Sequence, residues 1–137
     1  MIIADLRLCF IGDSFVAGYG DGEQLGWVGR VAARSAREGQ RFTAYNLGVR
    51  GHTSIDVVQR WRQECTPWLP AHGERRIVAY VEVFRTLHTD RCWMDEIAAD
   101  DGAHPGTAGY QQLANLVYPR FSTWIASATG SGDRRRG

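Results

Sequence analysis

No stretch of this chain is apolar for long enough to span a bilayer. Its N-terminal apolar stretch carries Asp5 and Arg7, which interrupt the continuous core that a secretory leader needs. A cytoplasmic location is therefore expected. Cysteine is scarce: Cys9, Cys65 and Cys92 are widely spaced, odd in number and form no CxxC, so neither a disulfide framework nor a metal cluster follows from them. Free thiols are the expectation, with Cys9 buried in the first strand. Neither sign of charge is in excess. Sixteen basic residues against fifteen acidic ones leave a net charge of +1, which gives no reason to expect a nucleic-acid or membrane partner. There is no internal repeat and no glycine-rich loop of the kind that cradles phosphate. Asparagine occurs only at Asn46 and Asn115.

What is present describes one α/β domain over residues 1–128. A chain of 137 residues with 44% hydrophobic and 23% charged residues can bury a single core. The Gly/Ser/Arg-rich residues Thr129–Gly137 read as a disordered tail, with Arg134, Arg135 and Arg136 solvated. Leu6–Ile11 reads as a buried strand. Gln24–Glu38 has helical periodicity, with Leu25, Val28, Val31 and Ala32 inward, Arg30, Arg34 and Arg37 on a wet face, and Gly39 as its stop. Phe42–Leu47 is a second strand. Thr53 or Ser54 then caps a helix to about Cys65, with Ile55, Val58 and Trp61 as its inner stripe, and Pro67 and Pro70 follow it.

Arg75–Phe84, "RRIVAYVEVF", is the strongest strand pattern in the sequence, rich in β-branched and aromatic residues. Glu82 within it suits an edge position, because a central buried carboxylate would need a partner. Cys92–Ala99 suits a short helix, and Thr107–Ala126 a final amphipathic one with Leu113, Leu116, Val117 and Phe121 inward. Strands alternating with helices predict a parallel sheet with helices on both faces. Trp27, Trp61, Trp68, Trp93 and Trp124 read as core and helix-packing residues, whereas His72 and His88 have no partner signal.

The chemistry-bearing residues lie at strand and helix boundaries. "FIGDSFVAGYG" ends the first strand in Gly12-Asp13-Ser14, and the loop before the last helix reads "DGAHPG", with Asp101 and His104 three apart. A hydroxyl, an imidazole that takes its proton and a carboxylate that orients the imidazole form a nucleophilic relay. Such a relay needs backbone donors for the oxyanion, and the N–H groups of Ser14 and of Gly51 in "VRGHTS" can supply two. Asp13 reads as a turn or capping group, His52 as an exposed loop residue, and both as candidate parts of the pocket wall.

These blocks resemble the SGNH hydrolases, also called the GDSL esterase/lipase family. "FIGDSFVAGYG" with "GWVGRV" looks like the first block, "NLGVRGHTS" like the second, and "DGAHPGTAGY" like the last. The resemblance covers most of residues 6–66 and about 93–126. It implies a three-layer flavodoxin-like parallel sheet, Ser14 as nucleophile, His104 as general base and acid, Asp101 as its orienting carboxylate, and no cofactor or metal. The substrate would be a small ester or thioester cleaved through an acyl-enzyme. The family's third block, GxND after the third strand, is absent; the chain reads "AYVEVFRTLH" there instead. That departure implies an internally shortened member with fewer strands. It leaves a second reading open, a catalytically impaired structural or binding module. A flavodoxin-like ligand-binding domain is a third. Shortening would also make Val78–Phe84 an apolar sheet edge, from which a homo-oligomer is expected.

Overall fold

A computed structural model of the chain describes residues 6–68 and 81–130. Within them β1 (Arg7–Gly12) and β2 (Thr43–Gly48) form a two-stranded parallel sheet, in register from Arg7 opposite Thr43 to Gly12 opposite Gly48. The chain between them forms α1 (Ser14–Ala17) and α2 (Gly26–Arg37). After β2 come α3 (Ser54–Cys65), a 3-10 turn at Thr66–Trp68, and then α4 (Phe84–Leu87), α5 (Arg91–Ala99) and α6 (Thr107–Gly130). The architecture is mixed α/β. No helix among the described residues is long and apolar enough to cross a membrane.

Local chemistry sets most of these boundaries. The Thr53 hydroxyl accepts from the Asp56 N–H while the Asp56 carboxylate accepts from the Thr53 N–H, a reciprocal cap that starts α3. At the end of α2, Gly39 has φ +82°, its N–H donates to the Ala36 carbonyl, and the Gln40 N–H donates to the Ser35 carbonyl. This paired closure favours glycine because the left-handed backbone carries no Cβ penalty there. The α2 N-terminus has no local side-chain cap. Instead the Asp21 carboxylate reaches back to the N–H groups of Leu25 and Gly26, at 3.1 and 2.7 Å.

Two clusters make the core, and α6 runs through both. Val31 of α2 packs with Ala114, Tyr118, Phe121 and Ile125 of α6, and Leu8, Phe10, Trp27 and Phe42 close over them. Farther toward the α6 N-terminus, Tyr110 and Leu113 pack with Leu87 and Trp93, joined by Phe15 and Ile97. Leu113 and Phe121 are buried and Leu116 and Val117 are half-buried, so the inward face of α6 is the expected one. The helix extends beyond Ala126 to Gly130, so Thr129 and Gly130 belong to it rather than to a tail. β2 ends in close apposition to α1: a Cβ on Gly48 would stand 2.2 Å from the Ala17 nitrogen, which leaves room for hydrogen alone.

Further expectations are corrected, among them Leu25, which is 45% exposed rather than inward, and Cys9, which is half-buried rather than buried. The strand expected over Arg75–Phe84 falls partly outside the described residues (75–80); Val81–Val83 form no strand, and Phe84 opens α4. The Glu82 carboxylate accepts from the Phe84 N–H at 2.7 Å and pairs with Arg85 at 3.5 Å, so local side-chain bonding overrides β propensity there. Glu82 is accordingly exposed in the irregular segment before α4 rather than set at a sheet edge. Arg30 is not on a wet face: its side chain is 5% exposed and paired with the fully buried Asp21. Ile55 and Val58 are 69% and 68% exposed, because α3 turns Val57, Arg60, Trp61 and Cys65 toward the molecule instead.

Candidate active site

β1 delivers the chain to Gly12, and Asp13, its backbone still extended at φ −99° and ψ −151°, is the N-cap of α1. Its carboxylate accepts from the Phe15 N–H at 3.0 Å. The capping role expected of Asp13 is the one observed. Ser14 is thereby the first residue of a helix at the carboxyl end of a parallel strand, the position where open α/β sheets present ligands.

Ninety residues later the loop between α5 and α6 meets it. The Ser14 Oγ lies 2.7 Å from His104 Nε2, and His104 Nδ1 lies 2.6 Å from Asp101 Oδ2. Because an ionised carboxylate only accepts, the imidazole carries its proton on Nδ1, and Nε2 accepts from the serine hydroxyl. The other Asp101 oxygen accepts from the N–H groups of Ala103 and His104, at 2.9 and 2.8 Å. These bonds from His104 backbone and ring, and then from Ala103, hold the Asp101 carboxyl down at about 2. Asp101 is thus charged throughout the neutral range. The imidazole is flanked by Phe15, with ring centroids 5.0 Å apart, and by Tyr19 edge-on at 4.9 Å. Ring contacts on two sides leave it little freedom to turn.

The loop that carries His104 is clamped from both ends. Glu96 of α5 accepts from the N–H groups of Gly106, Ala108 and Gly109, at 2.8, 3.0 and 2.6 Å, and so caps α6 from outside. On the other side the Thr107 hydroxyl donates to Asp21 at 3.0 Å. Burial alone would push the Asp21 carboxyl up, but bonds from Arg30, the Glu23 and Gly26 N–H groups and Thr107 overcome it and hold it well below the carboxylate range. The Tyr110 hydroxyl donates to the Tyr19 carbonyl at 2.7 Å, tying α6 to the segment after α1.

The second loop, after β2, places Gly51 at φ +77° with its N–H free of any acceptor among the described residues, and the same holds for the Ser14 N–H. Arg60 of α3 joins the two arms. It donates to the Gly12 carbonyl at 2.7 Å, to His52 Nδ1 at 2.9 Å and to Glu64 at 2.5 Å. His52 is therefore engaged through Arg60. Neither His52 nor Asp13 lines the adjoining cleft of about 490 Å³, whose walls are Ala17 to Gly22, Gln24, Arg50 and Asp100. Asn46 donates to the Val16 carbonyl and accepts from the Gly48 N–H, and Asn115 accepts from Gln111, so both asparagines are committed away from Ser14.

Arg60, Glu96, Asp21 and Tyr19 were not foreseen from the sequence. Each acts on a partner distant in the chain or through a main-chain group, and no local spacing marks such a role. His88 bonds within α4 to the Phe84 carbonyl, and His72 lies outside the described residues. Cys9, Cys65 and Cys92 are free thiols. No protein-family model and no curated protein matches the chain.

Proposed function

We propose that the protein is a serine hydrolase of carboxylic esters or thioesters, built on a strand-reduced flavodoxin-like sheet of the SGNH hydrolase kind. One observation carries the reading: Ser14, His104 and Asp101 stand in a continuous hydrogen-bonded line, with separations of 2.7 and 2.6 Å. The Ser14 Oγ attacks the ester carbonyl as His104 Nε2 takes its proton, and Asp101 supports the imidazolium that forms. The Ser14 and Gly51 N–H groups face the developing oxyanion. His104 then returns the proton to the leaving alcohol or thiol, and water hydrolyses the acyl-serine by the same sequence in reverse. This chemistry asks for no cofactor or metal.

A serine-directed phosphonate tests the reading. The expected result is one adduct, on Ser14, together with turnover of a short-chain p-nitrophenyl ester that falls at least about a thousandfold in Ser14→Ala. A label elsewhere, or none, overturns it. The commitment of Asn46 and Asn115 elsewhere supports a second reading, an impaired module lacking a third oxyanion donor. One such donor is worth about 3–4 kcal/mol in other acyl-transfer enzymes. The impaired form would label at Ser14 yet release no more than one equivalent of product.

A further inference from the structure

Arg50 stands next to this site and has no part in the chemistry above. It lies on the loop after β2, one residue before Gly51, and its guanidinium carbon is 3.4 Å from the centroid of the Tyr19 ring. Tyr19 meets the His104 imidazole edge-on and is held through its carbonyl by Tyr110. Arg50 is therefore one aromatic ring away from the general base, on a support that cannot easily move. It also forms, with Tyr19, one wall of a cleft of about 490 Å³, which reaches the site through the Tyr19 ring against His104 rather than through Ser14 itself.

Four other arginines are committed to carboxylates. Arg30 pairs with Asp21 and Glu23, Arg34 with Glu38, Arg60 with Glu64 and Arg85 with Glu82. Among the described residues no carboxylate pairs with Arg50. A guanidinium stacked on a ring commits its face to the ring and leaves its in-plane N–H fork free, which is the geometry that grips a carboxylate through two parallel bonds. Stacking also restrains a side chain that would otherwise lose rotamer freedom on binding. Of the acidic residues of the cleft, Asp21 is paired with Arg30, and Asp100 makes no ion pair with Arg50.

We infer that Arg50, stacked on Tyr19, is a specificity residue that selects esters carrying a free carboxylate near the scissile bond, such as half-esters of short dicarboxylic acids. The substrate class rests on the hydrolase reading, whereas recognition of the carboxylate by Arg50 does not. Two measurements separate them. N-phenylsuccinamic acid and its neutral counterpart N-phenylsuccinamide, neither of them an ester, are titrated calorimetrically into the full chain and into Arg50→Gln and Arg50→Lys. The acid should bind at least about tenfold more tightly; Arg50→Gln should erase that preference, and Arg50→Lys should keep part of it. Unchanged folding of the variants is checked by thermal melting. In parallel, kcat/KM for p-nitrophenyl hemisuccinate should exceed that for p-nitrophenyl butyrate by at least about tenfold, and the ratio should fall toward one in Arg50→Gln. Equal affinity for acid and amide, or a preference that survives Arg50→Gln, overturns the inference. Arg50-dependent binding without hydrolysis of either ester upholds it and removes the hydrolase reading. Hydrolysis of both esters at equal rates does the reverse.

Discussion

Asp101 is held as the charged carboxylate by its own loop. Its carboxyl sits at about 2 because two N–H groups and the His104 ring all donate to it. The folded-state value is depressed, so the stability it contributes is complete above the ordinary carboxylate range and is lost as pH falls from about 4 to about 2. Asp21 acts in the same direction. Thermal melts should therefore hold steady down to about pH 4 and drop below it, and Asp101→Asn should flatten part of that drop. The same substitution should slow ester turnover about a thousandfold with the fold intact. An amide can present either a donor or an acceptor to Nδ1 and no longer enforces the tautomer that leaves Nε2 accepting. An Asp101→Asn variant with unchanged rate would remove this residue from the mechanism. Arg60 offers a second check at this scale. Arg60→Met removes one of the two donors to the Gly12 carbonyl, which keeps the Val49 N–H, and leaves His52 Nδ1 without its donor, and should cost about 1–2 kcal/mol in chemical denaturation. Its kcat should fall more than its KM rises, since what it restrains is the approach to Ser14.

At the scale of elements, α6 depends on a carboxylate that is not its own. Glu96 accepts from the Gly106 N–H just before α6 and from the Ala108 and Gly109 N–H groups in its first turn, directly after His104 and Pro105. Glu96→Ala should destabilise the chain by about 1–3 kcal/mol and lower kcat through a looser His104 loop. Proton exchange at the Gly106, Ala108 and Gly109 amides, read by NMR, should accelerate more than exchange elsewhere in α6. Much at this scale was legible in the sequence. Thr53 caps α3, Gly39 stops α2, and β1 ends in a glycine and a cap because those residue types have strong local preferences. The inner face of α3 was not legible. Ile55, Val58 and Trp61 form the apolar stripe by spacing, yet Ile55 and Val58 face solvent while Arg60, on the inner side, bonds to Gly12.

For the whole molecule, the self-association expected from an apolar sheet edge at Val78–Phe84 loses that basis in the described part, since Val81–Val83 form no strand. A different exposed pair, Ile55 and Val58, stands one turn apart on α3, both more than two-thirds exposed. Light scattering at high protein concentration should report a mass of at least two chains, and Ile55→Ser with Val58→Ser should return it to one. A single-chain mass for the unaltered protein would discard the expectation. The sequence by itself determined the parts that obey short-range rules. These are the parallel strand pair with intervening helices, the caps and glycine stops, and the serine, acid and histidine at element ends, where a loop can present them. Tertiary structure alone decided the burial of Arg30 with Asp21, the external cap from Glu96, the tie from Arg60 to Gly12 and the stacking of Arg50 on Tyr19. Each of these joins groups from separate elements or loops, and often one partner is a main-chain carbonyl or N–H that every residue carries. Periodicity and propensity describe which face of a segment is apolar. They carry no information about which neighbour that face will meet, because the meeting is set by the packing of the entire chain.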